Sequence, residues 1–333
     1  MPLPTLLENC LRVPVVAAPM FLASGPDLVL ACCRAGVVGT FPAKNPRNLV
    51  GLEHWLKQIS SRLSASNIET EVQPAPYGVN LIVHPSNKTL DQELELCAAY
   101  EVPIIITSLG AVPRIVDRVH AYGGIVFHDV VNRRHAEKAA GAGIDGLIAV
   151  SAGAGGHTGL ANPFALIAEI RRFFNGTLLL AGSLGSGADV AAAQTIGADL
   201  AYMGTRFLTT QECIADAAYK TMILDSNLAD ITTTAAVSGI TANFLQQSLD
   251  RAGIFADGPI VNRAINVDAD MAEAFTTAGN QPKPWRDIWS AGHGVGGIDH
   301  SPSVADLVKT LQKDYHAAVL AQRVRAANLP PAQ

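Results

Sequence analysis

Short apolar runs, several of them dense in Val and Ile, recur along the chain, and each is followed by a segment of helical period. That alternation is the signature of repeated βα units. Eight runs read as strands: Val13–Ala18, Val37–Phe41, Tyr77–Val83, Val102–Thr107, Gly124–His128, Gly146–Val150, Thr177–Ala181 and Leu200–Met203. Between them, Asp27–Ala35, Leu49–Leu63, Thr89–Tyr100, Val112–Tyr122, Arg133–Gly141, Phe164–Phe174 and Gly187–Ile196 read as helices. The punctuation agrees: Pro26 and Asp27 open the first helix, Gly36 ends it, and Gly141, Gly143 and Gly197 stop later ones.

Eight such units closing on themselves predict an α/β fold of the (β/α)8 TIM-barrel class. A doubly wound sheet is the alternative, but no Gly-x-Gly-x-x-Gly follows the first strand, where a dinucleotide fold would place it. The βα rhythm stops at Leu208, and helical stretches at Cys213–Leu224, Asn243–Ala252 and Asp268–Ala278 replace it. This divides the chain into a barrel built from residues 1–207 and 288–333 and an inserted, mainly helical substrate or lid subdomain at 208–287. Asn280–Pro284 reads as a linker, the amphipathic Ser303–Ala326 as a closing helix, and the last residues from Asn328 as a disordered tail.

Composition narrows the function classes. Of 333 residues 49% are hydrophobic and 16% charged, which suits strands buried on both faces. No apolar run is long enough to span a bilayer and the N-terminus lacks a basic segment before an apolar core, so a soluble, cytoplasmic protein is expected. The five cysteines form no CxxC pair, which argues for reduced thiols and for neither a disulfide framework nor a metal site. A net charge of −5 without a basic cluster argues against nucleic acid as partner and leaves a small molecule as the default.

In a barrel of this class the active site forms at the C-terminal ends of the strands. Those ends carry Ala18-Pro19-Met20, Asn80, Thr107-Ser108, His128-Asp129, the loop Ser151–Gly159, the turn Gly182–Gly187 and Gly204-Thr205-Arg206. The loop after the sixth strand, Ser-Ala-Gly-Ala-Gly-Gly-His-Thr-Gly, is glycine-dense and holds one histidine, His157. Glycines let backbone approach a ligand closely. The two turns after strands seven and eight are small and precede helix starts, an arrangement that offers N–H groups to a phosphate. Other residues read blandly: Cys32 and Cys33 as packing on the first helix, and Arg133, Arg134, His135 and Glu137 as a solvated helix surface.

With these motifs in place, the chain resembles the nitronate monooxygenase (2-nitropropane dioxygenase) family. The resemblance covers nearly the whole chain and rests on Ala154-Gly-Gly-His-Thr-Gly159, the segment Ala181-Gly182 through Gly197-Ala-Asp199, Met203-Gly-Thr-Arg-Phe207 ending in Glu212-Cys213, and Ile288-Trp-Ser-Ala-Gly292. It implies an FMN-dependent barrel enzyme that oxidises alkyl nitronates with O2 to a carbonyl compound and nitrite. His157 corresponds to the family's active-site histidine. Cofactor binding is implied for Ala18, Pro19, Met20, Asn80, His128, Ala154, Gly155, Gly182, Ser183, Met203, Gly204 and Thr205. In that set the flavin ring lies against Ala18, Pro19 and Met20, and the phosphate on Gly182, Ser183, Gly204 and Thr205. Asn243, Phe244, Trp289, Ser290 and His293 are implied on the substrate side, and no metal.

Two positions depart from the family. Asp129 stands where related sequences carry a Lys after the histidine of the fifth strand, and Ser183 replaces the second glycine of a Gly-Gly turn. An anion near the ring disfavours reduced, anionic flavin, which weighs against the NADH:quinone reductase branch. The alternative function remains an NAD(P)H-dependent flavin reductase acting on quinones or on enoyl thioesters, as in related flavin-type enoyl reductases. A third reading is a flavin- or phosphate-binding barrel without chemistry. The use of NAD(P)H and assembly as a homodimer stay open, as does whether His157 acts as a base or a hydrogen-bond donor.

Overall fold

A computed structural model describes residues 3–69, 73–255, 265–276 and 282–329. Strands appear in chain order as β1 (Val15–Ala17), β2 (Val38–Pro42), β3 (Tyr77–Ile82), β4 (Ile104–Ser108), β5 (Ile125–Val130), β6 (Gly146–Val150), β7 (Gly156–His157), β8 (Thr177–Ala181), β9 (Leu200–Met203), β10 (Ile231–Thr234) and β11 (Ala242–Leu245). The eight expected strands, β1 to β6 with β8 and β9, form a closed parallel barrel. β1 closes it by pairing with β9, Val16 opposite Tyr202. The first strand starts later than expected, because Pro14 has no N–H to give to a ladder.

Both faces of the strands are buried, as the apolar runs require. Val16, Ile104, Ile106, Phe127, Ile148, Leu179 and Leu200 fill the barrel interior, with Leu7 closing one end. The alternate residues, such as Val79, Leu81, Ile105, Val126, Leu147, Leu178 and Leu180, pack outward against the helices. Each expected helix of the barrel forms, from Pro26–Ala35 to Gly187–Thr195. Ser186 caps the last of these with a reciprocal pair of bonds to Asp189. All five cysteines are buried free thiols, and burial pushes the Cys33 thiol up to about 12.

Residues 208–287 depart from a purely helical pattern. The expected helix from Asn243 is a strand through Leu245, and the helix begins only at Gln246. The cause is a hairpin: β-branched Ile231–Thr234 pairs antiparallel with β11, Thr233 opposite Asn243. Helix Ala217–Leu224 starts later than expected because Asp216 caps it, accepting from Ala218 N at 2.7 Å. Helix Val267–Phe275 lies against the loops after β1 and β2, where Phe275 meets Phe21 at 5.8 Å and the Arg47 guanidinium at 5.1 Å. The helix expected to Ala278 ends at Phe275, where Thr276 is extended, and positions 277–278, the start of the expected linker and the tail from Pro330 lie outside the described residues. The closing helix, Val304–Ala327, docks on Gly187–Thr195, where Tyr315 donates to Gln194 Oε1 at 2.6 Å. Among the described residues no helix is long and apolar enough to cross a membrane.

Candidate active site

The glycine-dense loop leaves β6 at Ser151, whose hydroxyl donates to Ala181 O at 2.8 Å and so ties the loop to β8. Gly153 and Gly156 hold φ of 88° and 71°, backbone that a side chain would strain. The loop then enters β7, which adds to the hairpin: His157 pairs with Ala242 and Gly156 with Asn243. His157 is therefore carried on a hydrogen-bonded strand. Thr158 locks the far end, donating from N to Thr241 O at 3.1 Å and from its hydroxyl to Ser151 O at 3.0 Å.

The His157 ring stands edge-on to Trp285, centroids 5.0 Å apart at 84°, and Trp285 leans on Phe244 at 5.4 Å. His157 is exposed to solvent, while desolvation by the protein packed around it pushes its pKa from 6.5 down to about 4. The downward shift leaves a neutral imidazole near neutral pH. Trp285, which the sequence reading does not single out, occupies φ of 65°. That costly conformation is held by a turn in which Asp287 accepts from Lys283 N at 2.8 Å.

Beside His157, three loops meet backbone to backbone. A Cβ on Gly182 would lie 2.7 Å from Ser151 Oγ and 2.9 Å from Ala154 N. One on Gly155 would lie 2.9 Å from Gly292 N and 3.1 Å from Thr205 Oγ1, and one on Gly204 would lie 3.8 Å from the Ala18 Cβ. Gly153 O accepts from both Ser183 N at 3.2 Å and His293 N at 2.9 Å, and Gly292 N donates to Thr205 Oγ1 at 2.9 Å. Among the described residues the amides of Gly182, Leu184 and Gly204 donate to no protein acceptor. Such a cradle of small residues with available N–H groups fits a phosphate. Two further amides of this turn are taken, because Gly185 N and Ser186 N donate to Asp189 at 2.9 and 2.8 Å.

The segment after β1 is fixed by Asn45, whose amide donates to Met20 O at 3.0 Å and to Ser24 O at 2.8 Å while its oxygen accepts from Leu22 N at 3.1 Å. Ala18 N donates to Met203 O at 2.9 Å, which places Ala18, Pro19 and Met20 beside Met203 and Gly204. Asn80 points into the barrel mouth, donating to Ser108 Oγ at 2.8 Å, and Ser108 donates to Asp129 Oδ2 at 2.6 Å. His128 is different. It pairs across from Thr107 on the outer face of the strands, bonded to its hydroxyl at 2.7 Å, under the helix that carries His135 and Lys138. Strand alternation turns Asp129, not His128, inward. Burial holds the His128 ring neutral, with its pKa pushed down to about 4.

The residues expected on the substrate side divide in the same way. Ser290 lies at the mouth, its Oγ 4.0 Å from a Cβ built on Gly156, and the His293 ring lies against Gly153. Asn243 and Phe244 have no exposed surface. Asn243 instead holds the loop, donating to Ala154 O at 2.8 Å and accepting from the Thr233 hydroxyl. Trp289 is a pillar, stacked on Tyr219 at 5.1 Å beneath the Arg251 guanidinium at 4.0 Å. We expect Asn243→Ala to cost about 1–3 kcal/mol in denaturant unfolding, because it strands the buried Ala154 carbonyl. An unchanged midpoint would show that this bond does not hold the loop.

Comparison with known proteins bears on this arrangement. The chain is 27% identical over 239 residues to an octahydro-indene carboxyl-CoA dehydrogenase of Rhodococcus jostii, covering 71% of this chain and 63% of that protein. It is 30% identical over 166 residues to a putative monooxygenase of Mycobacterium tuberculosis, covering 49% of this chain and 44% of that one. It thus spans less than two thirds of the length of these two relatives. A nitronate monooxygenase of Paraburkholderia phytofirmans is 25% identical over 275 residues, 72% of this chain and 75% of its own. The fold is that of FabK from Thermotoga maritima, at a TM-score of 0.77 and 23% identity over 96% of this chain and 97% of that one. Nitroalkane oxidase from Streptomyces ansochromogenes gives a TM-score of 0.77 at 23% identity, over 96% of this chain and 100% of its own. Residues 40–314, which span the barrel strands from β3 onward together with the loop of His157, match the nitronate monooxygenase family, and the chain belongs to that family.

Proposed function

We propose that the protein is an FMN-dependent nitronate monooxygenase, which converts an alkyl nitronate and O2 to a carbonyl compound and nitrite. The observation that carries this reading is His157, a neutral imidazole fixed on β7 at the barrel mouth beside a glycine cradle for phosphate. When bound, FMN supplies the oxidation of the nitronate. Gly182, Leu184 and Gly204 would hold its phosphate through their amides, with the hydroxyls of Ser183 and Thr205, and Ala18, Pro19 and Met20 would line its ring. His157 donates one N–H to a nitronate oxygen and orients the anion. An imidazole with so low a pKa is a poor base toward a neutral nitroalkane, so the preformed nitronate is the expected substrate. Trp285 walls one side of the His157 ring. Residues 208–287 supply the lid, moored by helix Val267–Phe275.

One observation favours a second reading, an NAD(P)H-dependent flavin reductase acting on enoyl thioesters or quinones: the similarity to a carboxyl-CoA dehydrogenase covers 71% of this chain. Anaerobic titration separates the two. We expect the yellow, FMN-loaded protein to be bleached by an alkyl nitronate and to respond slowly to NADH and NADPH. Rapid bleaching by either nucleotide, with none by nitronate, would replace the first reading with the second.

A further inference from the structure

The inner face of the barrel mouth carries an ionisable group that nitronate oxidation leaves without a task. Ile125, Phe127 and Asp129 of β5 share that face, Asp129 lying in register with Ile148 of β6. Asp129 Oδ2 accepts from Ser108, and Oδ1 is buried with no hydrogen-bond partner among the described residues. An ionised carboxyl can accept about four hydrogen bonds, and one with a single protein donor and one oxygen buried is poorly compensated. Burial accordingly raises its pKa from 3.8 to about 6, against the opposing pull of the Ser108 bond.

The groups facing Asp129 are Asn80 from β3, Ser108 from β4, Ile148 and Val150 from β6 and Tyr202 from β9. Of these only Tyr202 is ionisable, and burial together with the charge of Asp129 moves its titration far above neutrality. Asp129 is therefore the group on this face that changes charge near neutral pH. Through Ser108 it is bonded to Asn80, one of the residues for which the resemblance implies cofactor binding.

We propose that Asp129 is a redox-linked proton site, taking up one proton from solvent when negative charge is placed on the cofactor at the barrel mouth and returning it on reoxidation. The inference rests on the flavin reading. Reduction of FMN to its anion consumes two electrons and one proton. Where Asp129 is ionised beforehand, its carboxylate takes a second proton, and no other bond forms or breaks there. The physical cause is mutual repulsion: a nearby negative charge raises the pKa of a carboxyl, and the shared low-dielectric wall strengthens the effect.

The test is the reduction equilibrium of the FMN-loaded protein, measured against reference dyes with dithionite as reductant across neutral pH. Between the titration of Asp129 in the oxidised protein, about 6, and its raised titration in the reduced protein, the equilibrium constant of the wild type is expected to fall with rising pH by up to one more factor of ten per pH unit than that of Asp129→Asn. Ser108→Ala keeps the carboxyl and removes the donor that holds its pKa down, so it moves the onset of that steeper region to higher pH. Parallel profiles for wild type and Asp129→Asn, or an onset unmoved in Ser108→Ala, would overturn the proposal while FMN stays bound. A protein that takes up no FMN would overturn the flavin reading and the proposal with it.

Discussion

His157→Ala is expected to lower kcat/KM for an alkyl nitronate by about 10²–10³-fold, the usual cost of removing one positioned donor from a reacting oxygen. Cofactor binding is expected to survive, because β7 pairs with β11 through its main chain and the phosphate cradle is built from other loops. The loss falls on the reaction and not on folding, since among the described residues the imidazole makes no hydrogen bond that supports the strand. His157→Asn, which keeps an N–H donor of shorter reach, should recover part of the rate. The measurement is steady-state nitronate turnover together with the flavin content of each variant. Turnover equal to the wild type at full FMN content would remove His157 from the reaction.

How much of this could be read beforehand depends on how local the determining contacts are. The eight barrel strands were legible because each is a compact apolar run between helix signals, and the closed parallel sheet follows from their number and order. The strand made by Gly156 and His157 was not legible. It forms only because residues 242 and 243 lie opposite, and a pairing so distant in sequence leaves no periodic trace in a glycine loop. The same pairing converts Asn243 and Phe244 from substrate-facing candidates into buried supports of the loop. His128 and Asp129 show a different limit. In a strand covered on both faces the residues on either side are apolar, so hydrophobicity does not reveal which of two adjacent polar residues turns inward. Only the register, with Thr107 opposite His128 on the outer face, decides it. Trp285 escaped notice for want of any pattern: it follows a proline in a short turn, and its place against His157 comes from the folded chain alone.

The meeting of loops is itself testable with a single methyl group. Gly292 has an ordinary extended backbone, φ −95° and ψ 172°, so an alanine there suffers no conformational strain. Its Cβ would nonetheless lie 2.5 Å from Gly153 O and 2.9 Å from Gly155 N, against backbone that has no rotamer to escape into. The loop holding His157 must then move away from Gly292, and Thr205 loses the donor that fixes its hydroxyl. Gly292→Ala is expected to destabilise the protein by about 1–3 kcal/mol, the range for overpacking a close contact. FMN affinity should fall about tenfold or more, since each 1.4 kcal/mol of misfit in the cradle is a factor of ten. Gly297→Ala, in the same short helical segment but with nothing within 4 Å of its Cβ, should stay within about 0.5 kcal/mol of the wild type and bind FMN normally. Paired denaturant unfolding and FMN titration of the two variants distinguish a contact from a composition effect. Equal behaviour would mean that the loops after β6, β8 and β9 do not close on the Gly292 segment, and the cradle would have to be built from other residues.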